Sequence, residues 1–147
     1  MTNLDEISFG KFYFEIAVIL RSSLMVSSIL FNSEAWYNVS KAEIELIESV
    51  DLMLLRTLLK APKSTPKEML YLELGCLPYR EIIRMKRLSF LHYILKQPPD
   101  SMIYRYFEAQ MNNRTSKDWV TMVIKDMEDI KMNMKFEDIR RMKKGVI

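Results

Sequence analysis

Three arginines share one face of a predicted helix in the middle of this 147-residue sequence. Arg80, Arg84 and Arg87 are spaced four and then three residues apart, which places their side chains on the same side of a helix. Guanidinium groups bind carboxylates and phosphates through paired hydrogen bonds. The same face continues into leucine and isoleucine, so we expect the arginines at the edge of a core. Lys86 lies on another side of the helix and is the fourth cation of this candidate site.

Two interpretations of these four cations stay open. One is nucleic-acid binding through the phosphate backbone. The other is an intramolecular ion-pair network with acids of the first third of the chain, for which the candidate partners are Glu43, Glu45, Glu48 and Asp51. Residues 1–60 contain five Lys and Arg and eight Asp and Glu, a net charge of −3. Residues 61–99 contain seven basic and three acidic residues, a net charge of +4. Residues 100–147 contain ten basic and eight acidic residues, a net charge of +2. A basic middle attracts phosphate, although an ordinary solvated face carries the same charge.

The residue counts exclude most catalytic and metal-binding classes. Three glycines are too few for a glycine-rich phosphate loop, and one cysteine with one histidine excludes an internal disulfide and an ordinary zinc site. Cys76 and His92 have no third group to orient them for nucleophilic catalysis, so we expect both to be structural. The adjacent acids in Glu128-Asp129 and Glu137-Asp138 do not face one another on a helix. We therefore expect no cofactor, no metal and no enzyme activity of the chain on its own.

The elements that position these residues are all predicted to be helices. We expect an all-α fold, an irregular bundle of six to seven helices with short loops. Ser40 and Glu43 form a capping box that starts a helix at Lys41, and Ala61-Pro62 ends it near Lys60.

A second capping box, Thr65 with Glu68, puts Pro66 at the first helical position, and Gly75 ends that helix. The later caps are Asp100 or Ser101, and Thr115 or Ser116. The remaining predicted helices run from Pro78 to about Lys96, from Met102 to about Met111, from Lys117 to about Met132 and from Phe136 to Lys144. Pro98-Pro99 is the best candidate for a joint between subdomains.

One apolar segment, Phe12 to Phe31, has the length of a membrane span. Arg21 lies at its centre, and a central arginine costs at least about 2.5 kcal/mol in a bilayer. The segment starts late for a signal peptide and has no basic leader. We therefore expect a buried helix of a soluble core and no membrane contact. The lone cysteine gives no support for secretion, so we expect an intracellular protein, cytoplasmic or nuclear.

Three stretches follow one another in an informative order: residues 30–36 (LFNSEAW), residues 65–78 (TPKEMLYLELGCLP) and residues 84–90 (RMKRLSF). Their order and spacing resembles the region after the polymerase core of non-LTR retrotransposon reverse transcriptases, which are RNA-directed DNA polymerases. That family shows an aliphatic-Tyr-Gly-x-Glu-x-Trp segment, a long Leu/Arg helix, a Glu-Leu-Gly-x-x-Pro-like turn and an Arg-Arg-Leu-x-Phe helix. The resemblance covers about residues 12–96.

The resemblance implies a thumb-like helical region over residues 1–97 and a C-terminal helical tail or connector over residues 100–147. In the full enzyme such helices would hold the template–primer duplex, RNA or DNA, by its backbone. The contacts implied here are Arg80, Arg84, Lys86 and Arg87. Asn32 stands where the family has glycine, and the catalytic Tyr/Phe-x-Asp-Asp motif is absent. Two-metal nucleotidyl transfer needs clustered carboxylates, so no catalytic residue of the family carries over.

A helical protein–protein interaction module is the alternative function. Its contact surface would be Met-rich, formed near the C-terminus by Met122, Met127, Met132, Met134 and Met142. The tryptophans and tyrosines are spread at core spacing, and we expect no stacking platform for bases.

Overall fold

The computed structural model describes residues 3–132 and 134–142, with side chains from Phe12 onward, and every regular element within them is helical. The all-α fold class is therefore confirmed. The helices are α1 (Asn3–Leu20), α2 (Lys41–Leu59), α3 (Lys67–Glu73), α4 (Tyr79–Leu95), α5 (Met102–Asn112), α6 (Trp119–Asp129) and α7 (Phe136–Arg141). After α1 the chain continues through a π-helical stretch, Arg21–Val26, and a last turn, Ser27–Ile29, and a short 3-10 turn covers Ser33–Ala35.

Several helix ends lie where local chemistry predicts them. The helix α2 starts at Lys41 and ends before Lys60, which takes a left-handed φ of 49°. Gly75 ends α3 with a φ of 58°, and the next residue, Cys76, donates its backbone N–H to Tyr71 O at 3.0 Å. This is the left-handed glycine cap that the sequence predicts.

Two predicted caps are wrong. Pro66 is itself the residue before α3, with an extended ψ of 140°, and no side chain caps that helix, so Thr65 is not its cap. The helix α6 begins later than predicted, at Trp119. The reason is Asp118, whose carboxylate accepts hydrogen bonds from the backbone N–H (2.6 Å) and the hydroxyl (2.7 Å) of Thr115 and holds the preceding residues in a turn.

Packing divides the chain into two compact units. The first comprises Met1–Phe31 and Lys41–Glu81, and the second comprises Asn32–Ser40 and Ile82–Ile147. The division falls inside α4 and not at Pro98-Pro99. The assignment of residues 1–97 and 100–147 to two functional regions stays a prediction.

Each unit has its own apolar core. In the first unit the buried cluster consists of Leu55, Leu70, Tyr71 and Leu74, with Val18, Leu52 and Leu59 packed against it. In the second unit it is larger and consists of Leu88, Leu91, Ile94, Leu95, Phe107, Trp119, Val120, Val123, Met127 and Ile139. The predicted apolar stripe of α4 beyond its arginines is therefore part of the second core.

The segment from Phe12 is helical, but it is not the buried helix that the sequence predicts. By length and composition it could cross a membrane, and 11% of Phe12–Ile29 is buried. Within it, Ala17 and Arg21 point into the first unit. The opposite side, which we name the α1 apolar face, exposes Phe12, Tyr13, Ile16, Ile19, Leu20 and Leu24. The physical reason is that Arg21 needs a polar partner inside the unit, which turns the apolar side chains outward.

Candidate nucleic-acid interface

Arg87, one of the four candidate cations on α4, is buried and engaged by a carboxylate. Its Nε donates to Asp126 Oδ2 at 2.7 Å and its Nη2 donates to Asp126 Oδ1 at 3.2 Å. This is the two-pronged geometry that suits a guanidinium group. Both side chains are less than one-tenth exposed. Arg87 thus joins α4 to α6 inside the second unit.

Arg84 shares that acidic neighbourhood. Its Nη2 donates to Asp129 Oδ2 at 2.8 Å and its Nε donates to Asp126 Oδ1 at 3.4 Å. Asp126 therefore lies between two arginines, and the Asp129 side chain is the exposed member of the group. An ion pair with one exposed partner contributes less to stability than a buried one.

Arg80 and Lys86 have carboxylate neighbours as well. Arg80 Nη2 lies 3.5 Å from Glu48 Oε2, and the Arg80 backbone N–H donates to Glu48 Oε1 at 3.2 Å. Glu48 therefore also satisfies a backbone donor in the first turn of α4, where a helix leaves such donors open. Lys86 Nζ lies 3.7 Å from Glu34 Oε2. The Arg80 and Lys86 side chains each keep about a third of their surface exposed.

The partners of the arginines differ in part from those the sequence suggested. Glu48 was among the acids expected as partners, and it pairs with Arg80. The acids that pair with Arg84 and Arg87 lie 39 to 45 residues further along the chain, on α6. Helical spacing predicts that three arginines share a face, but it does not identify the acids that face them.

Arg21 is the centre of a buried polar cluster that sequence reasoning missed. Its Nε and Nη2 donate to Asp51 Oδ1 and Oδ2 at 2.7 and 2.6 Å, and Nη2 also donates to Leu77 O at 2.9 Å. Both charged side chains are almost fully buried. The rings of Tyr79 and Tyr71 lie 5.1 and 6.0 Å from the guanidinium carbon, within cation–π range. The available signal was a lone arginine in an apolar helix, because such a charge must be paired if it is buried.

Around neutral pH the arginine of this cluster stays charged and its two tyrosines stay neutral. Burial raises the pKa of both tyrosines, to about 12 for Tyr79, and the negative charge of Asp51 adds to the effect. Burial alone would lower the pKa of Arg21, but the hydrogen bonds and charge of Asp51 more than offset it, so that pKa is raised. The raised pKa values of Arg21, Tyr71 and Tyr79 thus suit these residues to a structural anchor.

The surroundings of Cys76 and His92 favour structural roles for both side chains. Burial, the largest influence, raises the pKa of the Cys76 thiol, which disfavours the reactive thiolate. His92 is 8% exposed, and its Nε2 lies 2.9 Å from Met142 O. Within residues 3–132 and 134–142, no three His, Cys, Asp or Glu side chains are grouped so that they could hold a metal ion.

The two units differ in charge. The first carries eight Lys and Arg against ten Asp and Glu, a net charge of −2, and the second carries fourteen against nine, a net charge of +5. Arg114, Lys117 and Lys125 are exposed on the second unit, and their side chains make no ion pair with the described residues. These cations were not among the candidates, because they lie outside the basic middle of the sequence and among nearly as many acids.

The C-terminal methionines mostly fill the second core. Met127 is 7% exposed, and Met132 and Met134 pack against the same cluster. Met122 Sδ accepts a hydrogen bond from the Asn38 backbone N–H at 3.0 Å. These side chains are therefore poorly placed to form the Met-rich contact surface of the alternative function.

Aromatic side chains that are far apart in the sequence converge on one cavity of the second unit. This aromatic cavity has a volume of about 500 Å³, and its aromatic lining is Tyr37, Phe90, Tyr106, Phe107 and Trp119. Three of the residues expected to be dispersed, Tyr37, Tyr106 and Trp119, therefore line the same cavity, and the absence of a stacking platform stays a prediction. Sequence spacing missed the group because its members come from the segment before α2 and from three different helices.

Comparison of the chain with models of known protein families, with curated proteins and with solved structures gives no match. The class established by the fold is an all-α protein of two compact units.

Proposed function

We propose that this chain is a non-catalytic helical segment of a reverse transcriptase of the non-LTR retrotransposon kind, and that its second unit contacts the backbone of a template–primer duplex. The observation that carries the proposal is the separation of charge, with −2 on the first unit and +5 on the second. Phosphate contacts of this kind depend on net positive charge at the surface and need no catalytic group. The ordered sequence motifs support the class of parent enzyme.

The cations best suited to this contact are those without an acidic partner. The guanidinium groups of Arg84 and Arg87 already bind carboxylates, whereas Arg80 and Lys86 retain partly exposed side chains. The exposed cations of the second unit are free to bind phosphate at no cost to the fold. We therefore expect them to contribute most of the binding. They include Arg114, Lys117 and Lys125.

The test is the salt dependence of binding to an RNA–DNA template–primer duplex. Wild-type protein binds at low salt, and the logarithm of its affinity falls linearly with the logarithm of salt concentration. Replacing Arg114, Lys117 and Lys125 by Gln lowers the magnitude of that slope by about 3, because each phosphate contact accounts for about one unit. The matched control replaces Lys60, Lys63 and Lys67 by Gln, which are exposed on the first unit. Absence of binding at low salt, or equal slopes for the two triple variants, overturns the proposal.

The α1 apolar face favours a second candidate, a helical protein–protein module. Six large apolar side chains stand on one side of that helix, each at least 40% exposed. An exposed patch of this kind on a soluble protein marks a contact surface. The contact would then be made by α1 and not by the C-terminal methionines.

This second candidate predicts self-association of the isolated chain in detergent-free buffer, measured by size-exclusion chromatography with light scattering. Ile19→Glu combined with Leu24→Glu yields a monomer, because charge on the α1 apolar face opposes its burial. Met102→Glu is the control, since Met102 is 90% exposed and belongs to the second unit. A wild-type monomer refutes the candidate, and recovery of the chain in detergent alone assigns the face to a membrane.

A further inference from the structure

The aromatic cavity of the second unit combines aromatic and polar side chains in its lining. Its lining includes Phe90 and Trp119, whose rings meet edge to face with centroids 5.6 Å apart. The Trp119 indole N–H donates to Glu34 O at 2.7 Å, which fixes the ring in place. A volume of about 500 Å³ lies within the range of small-molecule sites.

Two tyrosines line the cavity with their rings open to solvent. Tyr37 and Tyr106 are each 67% exposed, and they come from the segment before α2 and from α5. An aromatic side chain gains most binding free energy from stacking on another planar group, because stacked rings combine apolar contact with a favourable electrostatic arrangement. Exposed tyrosines around a cavity therefore favour a planar ligand.

The polar groups of the cavity favour an anionic chain that carries such planar groups. Lys117 lines the cavity and is exposed, without an ion pair among the described side chains. The carboxylate in the lining, Asp118, already accepts hydrogen bonds from Thr115 through both of its oxygens. Gln110 uses its carbonyl oxygen to accept from Val120 N–H at 3.4 Å, which leaves its amide N–H groups to donate to a ligand.

We propose that the aromatic cavity binds one unpaired nucleotide of a single-stranded nucleic acid. The base stacks on Tyr37 and Tyr106, an acceptor on the edge of the base receives the Gln110 amide, and the phosphate is held by Lys117. The net charge of +5 on the second unit favours a polyanion over a neutral apolar peptide. This inference rests on the proposed contact with nucleic acid, and it adds base stacking to backbone contact.

The experiment uses a Trp36→Phe background, in which Trp119 is the sole tryptophan and reports on the cavity. A single-stranded oligothymidylate probe quenches its fluorescence. Tyr37→Leu and Tyr106→Leu each lower the affinity for this probe by about 5- to 100-fold, which corresponds to the loss of one base–aromatic stack. Tyr37→Phe and Tyr106→Phe retain the affinity. Tyr13→Leu, an exposed tyrosine of the first unit, is the matched control.

The salt dependence separates this proposal from the proposed function. The leucine variants keep the wild-type salt slope and the wild-type affinity for duplex, because they remove no positive charge. If duplex binding remains salt-dependent while the leucine variants bind the single strand like wild type, the cavity proposal fails and the backbone contact stands. If thymidine monophosphate quenches Trp119 but no duplex binds at low salt, the backbone contact fails and the cavity proposal stands. Displacement of the oligothymidylate by a tyrosine-containing acidic peptide of higher affinity assigns the cavity to a protein ligand and overturns the proposal.

Discussion

Removal of the Asp51 carboxylate should strongly destabilise the first unit. Asp51 is fully buried and receives two hydrogen bonds from the Arg21 guanidinium, at 2.7 and 2.6 Å. In Asp51→Ala the guanidinium stays buried, with one remaining bond to Leu77 O. The charge is then uncompensated in a site that water does not reach.

The magnitude follows from the cost of an orphaned buried charge, which is about 3–5 kcal/mol. A domain of this size has a free energy of unfolding of about 5–15 kcal/mol, so the loss is a large fraction of the total. With a urea dependence of about 2 kcal/mol/M, the unfolding midpoint falls by about 2 M. Urea unfolding followed by far-ultraviolet circular dichroism measures this shift.

Two further variants show whether the cost comes from the orphaned charge. Arg21→Met combined with Asp51→Leu removes both charges, and we expect its midpoint to return close to that of wild type or above it. Lys41→Ala removes an exposed ion pair with Glu45 and should change the free energy of unfolding by about 0.5 kcal/mol or less. A midpoint for Asp51→Ala within about 0.3 M of wild type would refute the reasoning, as would a double variant no more stable than the single one.

Three further predictions concern single positions. Arg87→Ala should lower the free energy of unfolding of the second unit by up to about 3–5 kcal/mol, because the buried Asp126 then keeps only its 3.4 Å bond to Arg84. Arg84→Ala should cost less, because Arg84 also pairs with the exposed Asp129 and Asp126 keeps Arg87, and urea titrations of tryptophan fluorescence compare the two variants. Burial raises the pKa of Tyr79 to about 12 in the folded state, so Tyr79 of the unfolded chain ionises first as the pH rises. About 3 kcal/mol of stability that is present below pH 10 is therefore lost between about pH 10 and pH 12. Tyr79→Phe should therefore lose less stability than wild type when unfolding midpoints at about pH 9 and about pH 11 are compared, and equal losses would contradict the assignment. Gly75→Ala should cost about 1–2 kcal/mol in thermal unfolding through its left-handed φ of 58° alone, since an added Cβ meets no atom within 4 Å, and Gly75→Asn should cost less.

Local signals were enough to predict the helices, because each depends on neighbouring residues. A left-handed glycine after α3 and a serine before α5 act within one turn, and Ser101 Oγ accepts from Tyr104 N–H at 3.4 Å as its type predicts. The start of α6 was missed because the Asp118 carboxylate accepts from the backbone N–H and the hydroxyl of Thr115, which holds the residues before Trp119 in a turn. Local chemistry identifies the elements well and their first residues less well.

The side of a helix that faces a core is predictable when its polar residues lie on the other side. The helix from Phe12 gives no such contrast, since it is apolar nearly all round, and composition alone favoured burial. The buried pair of Arg21 with Asp51 reverses that expectation. The aromatic cavity was missed for a related reason, because Tyr37, Tyr106 and Trp119 meet through tertiary packing across more than 80 residues of sequence.

Arginines that lead into an aliphatic stripe on a helix can bind an external anion or form intramolecular ion pairs at the edge of a core. For Arg87, the free-energy costs favour the intramolecular ion pair. A phosphate that took the place of Asp126 on Arg87 would leave that buried carboxylate with only the 3.4 Å bond to Arg84 Nε, so much of the cost of about 3–5 kcal/mol for an orphaned buried charge would apply. One phosphate contact at an exposed cation carries no such cost. Nucleic-acid binding should therefore use the exposed cations of the second unit, with Arg87 held out of the contact by its own fold. An Arg87→Lys variant tests this directly, since lysine keeps the charge but not the two-pronged geometry, and it should lower stability while the salt slope of duplex binding is unchanged.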